Sequence, residues 1–318
     1  MVSSNMFAMR WRKSLLSGSI LAPVCTELLR NATTAPRALQ RDKDYCVELV
    51  RKRDYEGFLC SLLLPAESVS SAFALRAFNV ELAQIKDSVS QKSIGLMRVQ
   101  FWREVLDDIY KDHPTQQPVA KELLKAVKKH KLTKRWLMKM IDEREKNLDN
   151  HVFRNLQELE TYSENTQSSL AYLMLETLGV KDVQADHAAS HIGKAQGIVT
   201  CIRATPYNCS QRKVYLPLDI CMLHRVPQES LLRRSKEKNV RDVIYDIASQ
   251  AHIHLDHARS FMNRVPSKAF PAFLHTVILE DYLNKLQKVD FDVFHSSLQR
   301  RNTLLPLYLY IRSWKNKY

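Results

Sequence analysis

From Asp44 onward the apolar residues return at intervals of three and four. Leu75, Phe78, Leu82 and Ile85 make one such row. Val240, Ile244, Ile247, Ala251, Leu255, Ala258 and Met262 make another, lasting about six turns. This period lays one stripe of a helix against a core. It predicts helices over 45–62, 66–87, 89–111, 118–130, 133–149, 155–179, 185–204, 227–263, 270–288 and 304–315. Pro65, Pro118 and Pro227 stand where a first turn or its approach accepts proline. Ser68 and Thr133 are predicted N-caps. The stretch from Ala204 to Pro217 lacks helical period and reads as a loop. No hairpin and no internal repeat interrupts the pattern. An all-α single domain over 44–318 is the expectation.

Composition agrees with that class. Of 318 residues, 45% are hydrophobic and 26% charged, enough to build a sizeable core. Only 6 are glycine, against about 22 at average usage, which argues against turn-dense β folds and glycine-rich nucleotide loops. The six cysteines, at 25, 46, 60, 201, 209 and 221, include no C-x-x-C pair. They read as reduced, mostly buried thiols. The longest uncharged run, Ser14 to Thr26, has 13 residues, short of the roughly 18 a spanning helix needs.

The charge is uneven. Residues 1–41 hold Arg10, Arg12, Lys13, Arg30, Arg37 and Arg41 against the single acid Glu27. An Arg- and Ser-rich, acid-poor start is the composition of a mitochondrial transit peptide, so 1–43 is read as an import segment. A secretory signal is the rival, and Arg30, Arg37 and Arg41 count against it. Residues 121–154 carry eleven Lys and Arg against five acids. Such a stretch either attracts anionic lipid or RNA, or is a solvated helix face. No nucleic-acid-binding signature accompanies it, and no nucleic acid partner is expected. Leu304 to Trp314 reads either as an interfacial anchor or as a core helix with a basic end.

Two stretches resemble the squalene/phytoene synthase family. The first is Phe58 to Pro65, then Phe73 to Phe78, then Trp102-Arg103. The second is Ile192 to Arg203, then Val214 to Pro217. The resemblance implies an isoprenoid-synthase-type helical fold around a central cavity. Such enzymes condense prenyl diphosphates. Diphosphate leaves only when its charge is neutralised, by Mg²⁺ held on carboxylates. The family takes these from two aspartate-rich motifs with acids about one turn apart, so that both face the cavity.

Here the first motif reads Ala83-Gln84-Ile85-Lys86-Asp87, and the second Ala204-Thr205-Pro206-Tyr207-Asn208. Ala83, Gln84, Ala204 and Asn208 replace acids, and Asp87 alone survives. Losing one preorganised charge-stabilising group costs about a hundred- to a thousandfold in rate. The expectation is a pseudoenzyme: a cavity with no catalytic residue, no metal and no cofactor. The alternative is a prenyl-diphosphate transferase with relocated metal ligands. Asp108 with Asp112, Asp182 with Asp186, and Asp242 with Asp246 have the required spacing. His187 and His191 have the spacing of a two-histidine half-site, without a recognisable third ligand. His252, His254 and His257 read as surface or boundary residues.

Longer runs, Arg51 to Glu67, Ala77 to Gln84, Asp186 to Gly197 and Asn239 to His252, resemble the branch of that family that assists assembly of mitochondrial respiratory complex I. That resemblance implies a non-catalytic protein on the matrix side of the inner membrane, peripherally bound. It implies a role early in biogenesis of a mitochondrially encoded membrane subunit. The implied partners are complex I assembly intermediates or that subunit, with a lipid as a further candidate for the cavity.

Overall fold

The computed structural model describes residues 37–89, 91–113, 116–149 and 152–318. Cys25 and residues 1–36 of the expected import segment lie outside them. The described residues form helices and contain no strand, as the periodicity requires. In chain order the α-helices are α1 (Arg37–Arg53), α2 (Tyr55–Leu62), α3 (Ala66–Ser88), α4 (Lys92–Tyr110), α5 (Pro118–His130), α6 (Lys134–Lys146) and α7 (Leu156–Ser163). They continue with α8 (Ser169–Thr177), α9 (Val183–Ser210), α10 (Leu218–Leu223), α11 (Gln228–Leu232), α12 (Lys238–Ser260), α13 (His275–Lys288) and α14 (Leu305–Trp314). No helix among the described residues is long and apolar enough to cross a membrane.

The first helix among the described residues begins at Arg37, inside the span read as import segment, and the single helix expected over 45–62 is two. Asp54 breaks it. Its carboxylate accepts the Gly57 N–H at 2.9 Å and so caps α2. The same carboxylate pairs with Arg76 of α3 at 2.9 Å, and Arg76 Nη2 donates to His275 Nδ1 of α13 at 3.3 Å. A Cβ at Gly57 would lie 2.1 Å from Asp54 Oδ2 and 2.3 Å from Arg76 Nη1. Glycine there lets the charges meet. Arg76 and His275 are both buried, so this cluster fixes the α1–α2 corner, α3 and α13 together.

The helix expected over 155–179 is also divided. Glu164–Ser168 is a π-helical turn between α7 and α8. Glu164 accepts from Tyr172 Oη and Ser190 Oγ, each at 2.7 Å. Beside this turn α9 comes unusually close. A Cβ on Gly193 would lie 2.4 Å from the Ser168 backbone nitrogen, and one on Gly197 1.9 Å from Ser163 Oγ. The extra residue of the π turn widens the helix where α9 must pass.

Three further expectations need correction. The predicted loop from Ala204 is helix as far as Ser210, with Pro206 inside it. Proline removes one N–H and disfavours α geometry just before it. The Ile202 carbonyl thereby loses its α-helical donor, while Thr205 donates its hydroxyl to the neighbouring Cys201 carbonyl at 3.1 Å. The helix predicted over 227–263 is two, α11 and α12. The capping role of Ser68 falls to Pro65, and Ser68 instead donates to the Thr177 carbonyl at 2.8 Å. Thr133 does occupy an N-cap position, with no side-chain bond.

The core is built around α3, α9 and α12. Phe78, Leu75 and Leu82 of α3 are wholly or almost wholly buried, as are Ile244, Ile247 and Ala251 of α12. The five described cysteines are free, and burial raises the thiols of Cys46, Cys60 and Cys201 to about 12.

Two outcomes follow for unfolding in urea. Gly193→Ala should lose about 3 kcal/mol, because the neighbour it meets is backbone and cannot rotate away. Arg76→Met should lose about 3–5 kcal/mol, since it strands the Asp54 carboxylate in a largely buried position.

Candidate functional site

Between α3, α6, α7 and α9 lies a cavity of about 470 Å³. The sequence-singled residues Ala83, Gln84 and Asp87 of α3, and Ala204 and Asn208 of α9, all line it. Residues 83 and 87, like 204 and 208, are one turn apart on their helices, which puts each pair on a single face. Two helix faces that would carry carboxylates in a diphosphate site therefore do meet across one space. The expected loop at Asn208 would have broken the second face; the helical path through Pro206 preserves it.

The wall they form is cationic. Arg53, Lys86, Arg144 and Arg203 line the cavity with only two acids, Asp54 and Asp87. Asp54 has both oxygens engaged, one by Gly57 and one by Arg76. Burial opposes its ionisation, but the Arg76 and His275 charges together with the Gly57 and Arg76 hydrogen bonds outweigh that and hold its pKa below the usual value. Arg203 pairs with Glu56 at 2.6 Å. Arg144 reaches Asn79 Oδ1 at 3.3 Å, and its Nε is buried without a partner. Lys86 stands 4.3 Å above the Tyr215 ring. Burial and then the nearby Lys213 charge bring its pKa down to about 8. Gln167 of the π turn and Gln196 of α9 add neutral amides, and Leu82, Phe153 and Leu159 supply apolar wall. Sequence reading missed Arg53, Asp54 and Arg144, which come from elements outside the two motifs.

The squalene/phytoene synthase family profile matches residues 50–307. The chain belongs to the squalene/phytoene synthase family. Among curated relatives, it is 74% identical over 274 residues to a Bos taurus protein named NADH dehydrogenase (ubiquinone) complex I, assembly factor 6, covering 86% of this chain and 82% of that one. The Homo sapiens protein of the same name is 72% identical over 287 residues, covering 90% and 86%. In three dimensions the chain is similar to a dehydrosqualene synthase solved with a ligand. The TM-score is 0.77 at 16% sequence identity, covering 88% of this chain and 97% of that one. The fold is thus that of the family's isoprenoid synthases.

The residues at this family cavity do not fit a magnesium cluster. Mg²⁺ wants several oxygen ligands and near-octahedral order. The two faces offer one unengaged carboxylate, Asp87, next in sequence to Lys86. None of the off-register aspartates lines the cavity. Asp108 contacts His113 at 3.4 Å and Asp112 pairs with Lys128. Asp182 caps α9 through the Ala185 N–H at 2.8 Å. Asp246 meets His224 at 2.6 Å. No group of three or more His, Cys, Asp or Glu that could hold a metal occurs among the described residues.

The histidines gather elsewhere, where α9 meets α12. His191 Nδ1 lies 2.9 Å from His254 Nδ1, and His254 Nε2 lies 3.3 Å from Glu160. His257 and Phe261 flank His191. His254, expected near the surface, is buried; His252 is exposed beside Asp256. One of the two facing rings must accept, and an imidazolium cannot. Burial and then the His254 charge push His191 down to about 4. Burial and then the Arg76 charge also hold His275 well below its usual value.

Both histidines are depressed in the folded chain, so the unfolded chain takes up protons first as pH falls. Stability present above pH 6.5 should be lost as pH drops towards 4. The urea midpoint, followed across that window, should fall, and His191→Gln should flatten part of the decline.

Proposed function

We propose that this chain is a non-catalytic assembly factor for mitochondrial respiratory complex I, a pseudoenzyme on the isoprenoid-synthase scaffold. It acts early, in biogenesis of a mitochondrially encoded membrane subunit, on the matrix side of the inner membrane and peripherally bound. The observation that carries the reading is the wall of the cavity. Where diphosphate chemistry calls for paired carboxylates, the two facing helices present Ala83, Gln84, Ala204 and Asn208, with Lys86 beside Asp87. The names of the bovine and human relatives support the assembly role.

A space of this size, lined by both apolar and cationic side chains, suits an apolar chain with an anionic end. A lipid, or an apolar segment of the membrane subunit, is the proposed occupant. None of the acids that would relocate metal ligands lines the cavity, and at least one of each pair is engaged elsewhere, which weighs against the transferase alternative.

Cells lacking the gene should lose assembled complex I on native gels while isoprenoid pools stay at control levels. The purified chain, given Mg²⁺ and farnesyl diphosphate, should release no pyrophosphate above the blank. Intact complex I in the deleted cells would defeat the assembly role. Turnover abolished by Asp87→Asn would defeat the pseudoenzyme reading.

A further inference from the structure

The last helix is apolar on both sides. α14 turns Leu305 and Leu309 into the core. Its other side carries Leu304, Leu307, Tyr308, Ile311 and Trp314, at intervals of three, one, three and three, which is one helical face. Leu304 is 52% exposed, Leu307 45%, Tyr308 43% and Trp314 77%; Ile311 is half-buried. Lone exposed leucines are ordinary, but a row of them with two aromatics on one helix is a surface that seeks a partner.

Along the sequence, the charge of this row and its flanks is basic. No acidic residue occurs after Asp292, whereas Arg300, Arg301, Arg312, Lys315 and Lys317 all do. Arg312 reaches back to Glu280 at 3.2 Å and Arg301 lies over the Tyr55 ring. Arg300, Lys315 and Lys317 stand exposed at the two ends of the row. The basic stretch at 121–154, denser in sequence, is different. Its Lys125 pairs with Glu122, Lys128 with Asp112, and Lys134 with Asp107. The helix is also held in place beyond its own contacts. Tyr318, just past its end, is buried, with its hydroxyl donating to the Ala258 carbonyl at 3.2 Å and its ring packed on Phe270 and Phe273.

We propose that the outer face of α14 docks the protein on an anionic lipid surface. The leucines and the rings of Tyr308 and Trp314 enter the interface, and Arg300, Lys315 and Lys317 meet the headgroups. Aromatic rings with a polar edge and cations on long stems suit the boundary between headgroup and hydrocarbon. A short helix framed by basic residues lies in that plane rather than across it. Several cations without a neighbouring acid match the negative charge of such a leaflet. The proposal deepens the peripheral-membrane reading above, on which it rests, by naming the face.

The test is flotation of the full chain with vesicles. Phosphatidylcholine vesicles with phosphatidylglycerol at about one lipid in four should carry the protein up the gradient, and pure phosphatidylcholine should carry far less. Binding should weaken with salt, as exposed charges are screened. Combining Leu307→Ser, Tyr308→Ser and Trp314→Ser should lower partitioning about tenfold or more, while a single cooperative thermal melt persists because none of these side chains is in the core. Trp314→Phe should keep the binding yet abolish the blue shift of tryptophan emission on vesicle addition. Wild type and triple variant floating equally would overturn the assignment of this face and leave peripheral attachment standing. Wild type floating with neither vesicle would overturn both. A dimer in solution that the triple variant loses, with vesicles inert, would give the face to a second copy and overturn the proposal.

Discussion

The contact between Arg76 and Asp54, with His275 behind it, constrains much of the molecule. A guanidinium cannot shed its proton when buried, so the chain must bring it an acceptor. The acceptor is the carboxylate that also caps α2, which obliges the chain to turn at that point. The turn carries Asp54 to the rim of the cavity and leaves it with no free oxygen. A buried pair of this kind is a weak source of net stability. Its contribution is to specify that the end of α1 and the start of α13 meet the middle of α3, and so the shape of the space that α3 and α9 enclose.

On the reading proposed above, small and neutral residues at positions 83, 84, 204 and 208 do more than leave a metal without ligands. Carboxylates facing across a cavity repel each other and call for cations. With alanines and amides in their place, Lys86, Arg144 and Arg203 face no cluster of negative charge. The lowered pKa of Lys86 records this, since burial and the neighbouring Lys213 charge outweigh the attraction of Asp87. An anionic group entering the cavity would relieve that repulsion. The lining of that space holds four cations, Arg53, Lys86, Arg144 and Arg203, and two acids, Asp54 and Asp87.

Much of this was legible in the sequence. Buried stripes such as Val240 to Ala258 follow from period alone, because burial of one face is what forms the helix. The convergence of Ala83 and Asp87 with Ala204 and Asn208 followed from one-turn spacing together with the family resemblance. What escaped depended on partners far along the chain. Nothing local marks Asp54 as a break until Arg76 is placed beside it. The π turn at Glu164–Ser168 answers to Gly193 and Gly197 rather than to its own residues. Pro206 reads as a helix end because its cost is local, whereas the packing that offsets it is not. The inward turn of His254, too, depends on His191 and Glu160.

The position of Tyr318 reaches beyond packing. Its ring is wedged among Phe270, Phe273 and the end of α12, which makes it a keystone of the packing there. Here the tyrosine ties the segment beyond α14 to α12, so replacing it would open a hole in the core and loosen α14 from its seat.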